Sequence, residues 1–300
     1  MTGRVLVIGG ASKVAIAWRA VATRAGRPVT VLTRRPETAA ANETLVRVHD
    51  YFTPPAEVFR GVQHVINFAG APTQPTEAEL VRLNAEGPVR LAAEARDRGV
   101  DRFVQISSLS VLGGARDIDF ATPVRPKTLY GRTKRDAEEG LARLATERFR
   151  PLIARAPIIY GPQGGGKLSQ LIRLWRMVKV LPAPTRLEPR SMVHVHNLAL
   201  ALDLALTQDD ELIYPCDPEP FDLIRLRDAL RAEGVNARLL RLPTVSFGLL
   251  EAVAPNMYES LYGRSLVAPD SRALLPGDAI NLDTALRDLI RAGLKRTSDA

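Results

Sequence analysis

The sequence has almost no cysteine and few aromatic residues. Cys216 is the single cysteine, so the chain can form no intramolecular disulfide and no cysteine-based zinc or iron–sulfur centre. Aromatic residues make up only 5% of the 300 residues. No apolar run reaches the ~18–20 residues that a membrane-spanning helix needs, and Met1 leads directly into a strand-like segment without a signal peptide. These absences predict a cytoplasmic protein with no membrane contact and no metal site.

Acidic residues are in deficit. The chain has 41 Lys and Arg against 33 Asp and Glu, which gives a net charge of +8 and a sequence pI near 10.0. Such a surplus is typical of proteins that bind nucleic acid or small anions. The arginines are spread along the whole chain, and no basic stripe is interleaved with aromatic residues. We therefore expect no nucleic-acid partner, and interpret most of the surplus as composition bias.

Short apolar runs alternate with helical segments in the first half of the chain. The runs that we interpret as strands cover 4–8, 29–32, 45–48, 62–68 and 103–106, with helices at 13–25 and 77–98. Buried strands that alternate with helices are typical of parallel sheets with right-handed crossovers. The pattern predicts an α/β fold, a Rossmann-type doubly wound parallel sheet with a smaller C-terminal substrate-binding region.

The rhythm changes after residue 150. A further strand at 151–154 is followed by a stretch rich in proline and glycine, with helical pieces near 167–180, 197–207, 222–233 and 282–293. We predict an NAD(P)-binding Rossmann domain over residues 1–155. Residues 156–300 are predicted to be mainly a substrate-binding region that partly returns to the sheet.

The turn after the first strand, GGASKVA, starts at Gly9. A dinucleotide-binding turn uses glycines for the tight bend, for close approach of the pyrophosphate and for helix packing. Ser12 and Ala15 stand at the second and third of these places. The Ser12 Cβ narrows the phosphate path, although its hydroxyl and the helix N-terminus can donate hydrogen bonds to a phosphate. Alone, this motif is as typical of any strand–turn–helix as of a cofactor site.

Two arginines, Arg34 and Arg35, follow the second strand. NAD sites usually have an acidic residue here for the ribose 2′-hydroxyl, whereas arginine suits the 2′-phosphate of NADP. Lys13 can contribute to the same pocket. The alternative is a solvated surface pair. We predict NADP as the cofactor, with NAD as a possibility.

Tyr130 and Lys134 lie four residues apart in a predicted helix over 130–148, and so share one helix face. An ammonium near a phenol lowers the pKa of the phenol, because it stabilises the phenolate. Ser108 follows a predicted sheet strand, at the carboxyl edge where ligands bind in such folds. A serine at this edge can hydrogen-bond the substrate oxygen on which the tyrosine acts.

Several motifs occur in one order along nearly the whole chain. They are the turn at 9–15, NFAG at 67–70, Asn84 with Gly87, SSLSVLG at 107–113, YGRTK at 130–134, RAPIIYGP at 155–162, RSMVHVHN at 190–197 and LYGRSLV at 261–267. With these motifs the chain resembles an extended short-chain dehydrogenase/reductase of the NAD-dependent epimerase/dehydratase family. Within that family it looks most similar to nucleotide-sugar 4-reductases and 4-epimerases.

The resemblance implies roles for individual residues. Tyr130 would be the catalytic acid/base, Lys134 would bind the nicotinamide ribose, and Ser108 would orient the substrate oxygen. Substrate contacts are expected from Asn84, Ser110 and Arg190, the last on a nucleotide-sugar diphosphate. The full predicted cofactor-binding set is Gly9, Ser12, Lys13, Arg34, Arg35, Asp50, Phe68, Ala69, Gly70, Tyr130, Lys134 and Pro157.

The function expected from these residues is reduction of a C4 keto group of a nucleotide sugar. A 4-epimerase with bound NAD is the alternative within the family, and a non-catalytic NADP-binding sensor or structural subunit is the alternative from another class. Dehydration is disfavoured, because Leu109 and Ser110 stand where sugar dehydratases have acidic residues. The family also implies a homodimer through helices near 77–98 and 130–148.

Overall fold

A computed structural model describes residues 3–35, 38–71, 74–162 and 166–298 of the chain. Its strands are β1 (Arg4–Ile8), β2 (Val29–Thr33), β3 (Glu43–Arg47), β4 (Val62–Asn67), β5 (Arg102–Ser108), β6 (Asp117–Ile118), β7 (Arg150–Ala156), β8 (Ile158–Tyr160), β9 (Val180–Pro184), β10 (Met192–His194), β11 (Leu212–Ile213), β12 (Arg238–Leu242) and β13 (Leu266–Val267). Seven of them form one sheet in the order β11-β7-β5-β4-β1-β2-β3, and every neighbouring pair is parallel. The predicted doubly wound α/β fold is confirmed.

Helices cover both faces of this sheet. They are α1 (Lys13–Arg24), α2 (Glu77–Val81), α3 (Gly87–Asp97), α4 (Leu129–Ala142), α5 (Gly166–Val178), α6 (Val195–Ala205), α7 (Leu223–Ala232), α8 (Gly248–Val253), α9 (Pro255–Tyr262) and α10 (Leu282–Ser298). Apolar side chains of α1 and α6 form one core with the sheet, and those of α3 and α4 form a second core on the opposite face. Burial on both faces explains why the strands are continuous apolar runs.

The predicted helix over 77–98 is interrupted at its middle. A π-helical turn, Arg82–Glu86, separates α2 from α3, and Pro88 lies in the first turn of α3. Proline lacks the N–H that a continuous helix would use, and a wider turn before it accommodates that loss. Because of this turn, Asn84 lies on an irregular stretch of backbone next to the carboxyl edge of the sheet.

The second half of the chain builds a separate apolar core and also completes the sheet. Helices α5, α7 and α10 pack together with the two-stranded sheet β9–β12. Strand β11 pairs with β7 at the edge of the main sheet, and α6 packs on α1. The predicted helix over 130–148 ends earlier, at Ala142, and the chain then turns back to Phe149. Among the described residues, no helix is long and apolar enough to cross a membrane.

Candidate active site

The turn after β1 is pressed against the backbone that follows β4. Gly9 has φ +76°, and a Cβ on it would lie 2.8 Å from the amide nitrogen of Ala69. Both the positive φ and the close approach require glycine. The Phe68 N–H donates to the Ile8 carbonyl at 2.9 Å and ties the two segments together. This contact places Gly9, Phe68 and Ala69 side by side, as the cofactor prediction requires.

Ser12 is the N-cap of α1. Its Oγ accepts a hydrogen bond from the Ala15 N–H at 3.1 Å, which satisfies one of the free donors of the first turn. A hydroxyl that accepts there keeps its own proton for donation to a phosphate. Arg19, which the sequence did not single out, supports this turn. Its guanidinium donates to the Gly10 carbonyl at 3.1 Å and forms a buried ion pair with Glu43 at 2.7 Å.

The end of β2 presents two exposed cations. The Arg34 guanidinium lies 4.9 Å from the centre of the Tyr51 ring, and Arg35 borders a cavity of about 420 Å³ beside the start of α1. The acid in this cavity, Glu43, is already paired with Arg19. Lys13 is exposed at the first position of α1. Within the described ranges 3–35 and 38–71, the arrangement offers positive charge where a cofactor ribose would lie in this fold, and the acid that borders it, Glu43, is paired.

The remaining predicted cofactor residues lie near the carboxyl edge of the sheet. The Asp50 carboxylate accepts from the Phe52 N–H at 3.0 Å and pairs with Arg82 at 3.2 Å. Phe68 and Ala69 are buried, Gly70 is exposed, and Pro157 is buried between β7 and β8. These positions all follow the carboxyl ends of sheet strands, on either side of β1 and β4. A dinucleotide crosses a doubly wound sheet at this edge.

Two buried polar atoms near this edge have no hydrogen-bond partner within the part of the chain that the structure describes. They are Asn84 Nδ2 and Ser110 Oγ. Asn84 Oδ1 accepts from the Ala71 N–H at 3.3 Å, so the amide is oriented by the segment after β4. Unsatisfied buried donors in a folded protein are rare and indicate a missing ligand or water. Both residues were predicted to contact substrate.

Ser108, Tyr130 and Lys134 come together at the end of β5. The Ser108 Oγ accepts from the Ser110 N–H at 3.2 Å, and the Ser108 hydroxyl is near enough to the Tyr130 phenol to influence its pKa. Lys134 lies one turn further along α4, where its Nζ donates to the Ile106 carbonyl at 3.1 Å. Thr128 caps α4 through its Oγ1, which accepts from the Gly131 N–H at 3.0 Å. Sequence reasoning therefore selected three residues that the fold places together.

Gly131 is a functional residue that the sequence reasoning missed. A Cβ at this position would lie 2.7 Å from the Ser110 carbonyl oxygen. The absence of a side chain lets the first turn of α4 pack on the short 3₁₀ turn Leu109–Leu112. The signal was a glycine inside a helix, where it is usually unfavourable. A side chain at this position would force the first turn of α4 away from Ser110.

The pKa of Tyr130 differs from the expectation that the Lys134 ammonium lowers it. Burial lowers the pKa of Lys134 to about 8, although the nearby Glu138 carboxylate acts in the opposite direction. The pKa of Tyr130 is raised, because desolvation of its phenol, on a residue that is 42% exposed overall, outweighs the opposite influence of the nearby Ser108 hydroxyl. The expected lowering by Lys134 is not found here, since the Lys134 Nζ lies 5.8 Å from the ring centre and donates to a backbone carbonyl.

A buried ionic network links α4 to the strands on which it packs. Arg155 forms an ion pair with Glu138 at 2.7 Å and donates to the Tyr214 hydroxyl at 3.2 Å. Glu138 also accepts a short hydrogen bond from the Ser107 hydroxyl. Glu138 lies one helical turn after Lys134, so the network connects α4 to β5 and β7 beside the predicted catalytic residues. Spacing alone did not indicate this role for Glu138.

The region around Arg190, predicted to bind substrate, is largely apolar. Arg190 is buried, and its Nη2 donates to the carbonyls of Glu259 at 2.8 Å and Gly263 at 2.6 Å. It borders a cavity of about 40 Å³ that is also lined by Ile158, Lys167, Leu168, Leu171, Met192, Phe221 and Leu261. Thus the predicted diphosphate ligand Arg190 contributes to the anchoring of α9 and the residues that follow it.

The residues present fit a dinucleotide. A glycine cradle, a capped helix N-terminus and exposed cations after β2 occur on one edge of the sheet, beside the Tyr130–Ser108 pair. These are the features that a pyrophosphate and a ribose phosphate need.

Comparison with known proteins gives the same indication. The family model described as "NAD dependent epimerase/dehydratase family" matches residues 5–215. The UDP-glucose 4-epimerase of Vibrio cholerae is 35% identical over 133 residues, which are 42% of this chain and 39% of that protein. A ketoreductase of Stigmatella aurantiaca, named for 4-hydroxy-2-methyl-3-oxo-4-farnesyl-3,4-dihydroquinoline-1-oxide, is 30% identical over 235 residues, which are 73% of this chain and 69% of that protein.

Solved structures share the fold over the whole chain. MoeE5 in complex with UDP-glucuronic acid and NAD superposes with a TM-score of 0.74 at 21% identity, covering 98% of this chain and 100% of that chain. UDP-glucuronic acid 4-epimerase from Bacillus cereus in complex with NAD gives a TM-score of 0.76 at 15% identity, covering 97% and 99%. With the match to the family model, these observations show that the chain is an enzyme of the NAD-dependent epimerase/dehydratase family, in the extended short-chain dehydrogenase/reductase class.

Proposed function

We propose that this enzyme reduces a ketone with NADPH, using Ser108, Tyr130 and Lys134. The observation that carries the proposal is that the Ser108 hydroxyl neighbours the Tyr130 phenol at the end of β5, with the Lys134 Nζ 5.8 Å from the centre of the Tyr130 ring. This edge of a doubly wound sheet is where cofactor and substrate meet. The three side chains therefore have the placement that proton transfer to a bound carbonyl needs.

The residues divide the chemistry between them. NADPH, when bound, supplies the hydride that adds to the carbonyl carbon. Tyr130 donates its proton to the carbonyl oxygen, and Ser108 hydrogen-bonds that oxygen and orients it. Lys134 binds the ribose and keeps a positive charge beside the phenolate that forms. The raised pKa of Tyr130 supports the direction of reduction, because the phenol stays protonated and ready to donate at neutral pH.

Positive charge after β2 favours NADP over NAD. Arg34 and Arg35 are both exposed there, and the neighbouring acid Glu43 is held by Arg19. A 2′-phosphate would gain two guanidinium partners, with Lys13 as a third cation. NADP is the usual cofactor of reductases, whereas a 4-epimerase needs NAD that stays bound through the cycle. This difference supports reduction over epimerisation.

The C4 ketone of a nucleotide sugar is the first candidate substrate. Two structural neighbours hold UDP-glucuronic acid or UDP-glucose together with NAD. In this chain the exposed Lys167 would serve the diphosphate, and Arg190 could join it only by giving up its bonds to the carbonyls of Glu259 and Gly263. Asn84 Nδ2 and Ser110 Oγ, both buried without a partner among the described residues, would donate to sugar hydroxyls.

An apolar ring ketone is a second candidate, favoured by the apolar side chains around the small cavity beside Arg190, which at about 40 Å³ would admit only a small part of a substrate. Ile158, Leu168 and Phe221 present aliphatic and aromatic surface there, and the Arg190 guanidinium is bonded to two backbone carbonyls. The ketoreductase relative acts on a farnesylated dihydroquinoline oxide according to its name. NADPH oxidation with a cyclic ketone that carries an alkyl chain, and none with any 4-keto nucleotide sugar, would select this candidate.

Replacement of Tyr130 by phenylalanine tests the mechanism. We expect kcat to fall by about 10²–10⁴-fold in Tyr130→Phe, since the variant lacks the proton donor. NADPH affinity, measured by fluorescence titration, should change little. Tyr258→Phe removes a phenol hydroxyl from a ring cluster with Phe247 and Tyr262 and is the matched control. Full turnover by Tyr130→Phe would refute the proposed proton donor.

A further inference from the structure

An exposed apolar surface lies at the junction of α5 and β9. It consists of Leu174, Met177, Val178, Val180 and Leu240, and we refer to these five residues as the apolar patch. Met177 is 72% exposed and Leu240 50% exposed, and the other three are more than 40% exposed. Leu174 and Val178 lie one helical turn apart, and Leu240 of β12 is paired with Pro182 of β9. The patch is therefore continuous across three elements.

The patch is surrounded by positive charge. Arg173, Lys179 and Arg238 are exposed beside it, and no acidic side chain in the described parts of the chain pairs with any of them. Helix α5 and strands β9 and β12 contain no Asp or Glu at all. The acid that ends α7 nearby, Glu233, is paired with Arg291. The whole face thus combines aliphatic side chains with a surplus of cations.

Lys179 is held in an unusual conformation. It has φ +60° and, among the described residues, is the one non-glycine residue with a positive φ. It follows the last residue of α5, where glycine or asparagine adopts this conformation with less strain. Strained backbone at a non-glycine residue is a recognised indication of function. A lysine here keeps a cation at the centre of the apolar patch.

From these three observations we propose that this face binds the surface of an anionic lipid bilayer. Aliphatic side chains with flanking Lys and Arg are what an interfacial contact requires, since the former enter the headgroup boundary and the latter meet anionic lipids. Two copies of the chain in a symmetric contact would bring the same cations against each other, which disfavours a dimer through this face. Nucleic acid would require aromatic platforms, which the patch lacks.

The position of the patch relates it to the substrate side of the enzyme. The first turns of α5 contribute Lys167, Leu168 and Leu171 to the cavity beside Arg190, and the last turn of α5 carries the patch. Thirteen helical residues span about 20 Å. If the proposed function holds, a bilayer contact at one end of α5 would keep the cavity beside Arg190 within about 20 Å of the membrane surface, measured along the helix. The contact would lie on the bilayer and would not cross it.

Sedimentation with lipid vesicles tests the proposal independently of any activity. The full chain is mixed with vesicles of phosphatidylcholine alone or of phosphatidylcholine with phosphatidylglycerol, and the bound fraction is measured against lipid concentration. We expect binding to the anionic vesicles only, weakened by added salt. Lys179→Gly should lower the affinity about five-fold, because one cation near an anionic surface contributes on the order of 1 kcal/mol. This variant also relieves the positive φ, so the fold should be retained.

Two further variants complete the test. Met177→Glu removes apolar surface and adds a negative charge, and should reduce binding to the background level. Arg148 is an exposed cation on the loop before β7. Arg148→Gly removes the same charge as Lys179→Gly and should leave the affinity for anionic vesicles unchanged. Equal loss in Lys179→Gly and Arg148→Gly would overturn the proposal, as would equal binding to neutral and anionic vesicles. A concentration-dependent dimer that Met177→Glu abolishes would assign the face to a second copy instead.

Discussion

At the scale of single residues, Lys134 controls how the site responds to pH. Burial lowers its pKa to about 8, so the ammonium to which we assign the ribose and the phenolate is lost as the pH rises through that value. Tyr130 stays protonated over the same range, because its own pKa is raised. The lysine, and not the tyrosine, should therefore set the alkaline limit of the reaction.

We expect kcat/KM for NADPH to be level below the pKa of Lys134 and to fall above about pH 8. The kcat/KM profile reports the free enzyme, which is the state whose pKa is described here. Lys134→Arg keeps a cation that does not titrate in this range, and its residual activity should lack the alkaline limb. An unchanged limb in that variant would assign it to another group.

Gly9 and Gly26 form a matched pair of positive-φ glycines. Gly9→Ala introduces both backbone strain and a Cβ 2.8 Å from Ala69, whereas Gly26→Ala introduces strain with no atom within 4 Å. Gly26→Ala should lower the free energy of unfolding by about 1–2 kcal/mol and leave cofactor affinity intact. Gly9→Ala should cost more and weaken NADPH binding by about ten-fold or more. Denaturant unfolding and fluorescence titration measure the two effects. Equal NADPH affinities in the two variants would contradict a cofactor-binding role for the turn at Gly9.

At the scale of elements, α4 is fixed to the sheet by the buried pair Glu138–Arg155. Breaking a buried ion pair leaves one uncompensated charge and costs about 3–5 kcal/mol. We expect Arg155→Met to destabilise the protein by about that amount in urea unfolding, and Glu138→Met to do the same. The double variant should lose much less than the sum of the two. Additive losses would mean that the pair is not coupled.

At the scale of elements, the apolar strand runs and the turns between them predicted most of the sheet. Buried parallel strands are local apolar runs, so β1, β2, β4 and β5 were predicted from the sequence to within a few residues. The Tyr130–Lys134 spacing was equally local. In contrast, the partnership of Glu138 with Arg155 and the close contact at Gly131 depend on how α4 crosses the strands. Spacing along the chain contains no information on such contacts.

The irregular elements also depend on tertiary contacts that the local sequence does not predict. A proline such as Pro88 is typical of an interrupted helix, but the form of the interruption, a π-helical turn that carries Asn84, follows from packing against α4. The early end of α4 at Ala142 had no clear sequence signal, since Leu144–Arg148 has ordinary helix formers. The raised pKa of Tyr130 likewise reflects burial, which a spacing argument does not include.

At the scale of the whole molecule, the net charge of +8 has three distinct local uses in this account. Arg34 and Arg35 would bind the cofactor phosphate, and Arg190 borders the substrate cavity. The cations around the apolar patch would meet anionic lipid. The first two were predicted from motifs. The third became visible only when α5, β9 and β12 were seen to share one face.

The transfer of deuterium from 4-deuterated NADPH to a ketone substrate tests the central claim most directly. We predict that each turnover oxidises one NADPH, that the deuterium is found on the new carbinol carbon, and that NADH supports the reaction less well than NADPH. Mass spectrometry of the product and absorbance of the reduced cofactor give the two readings. Conversion of a nucleotide sugar into its C4 epimer with no net oxidation of cofactor and no deuterium in the product would contradict the account.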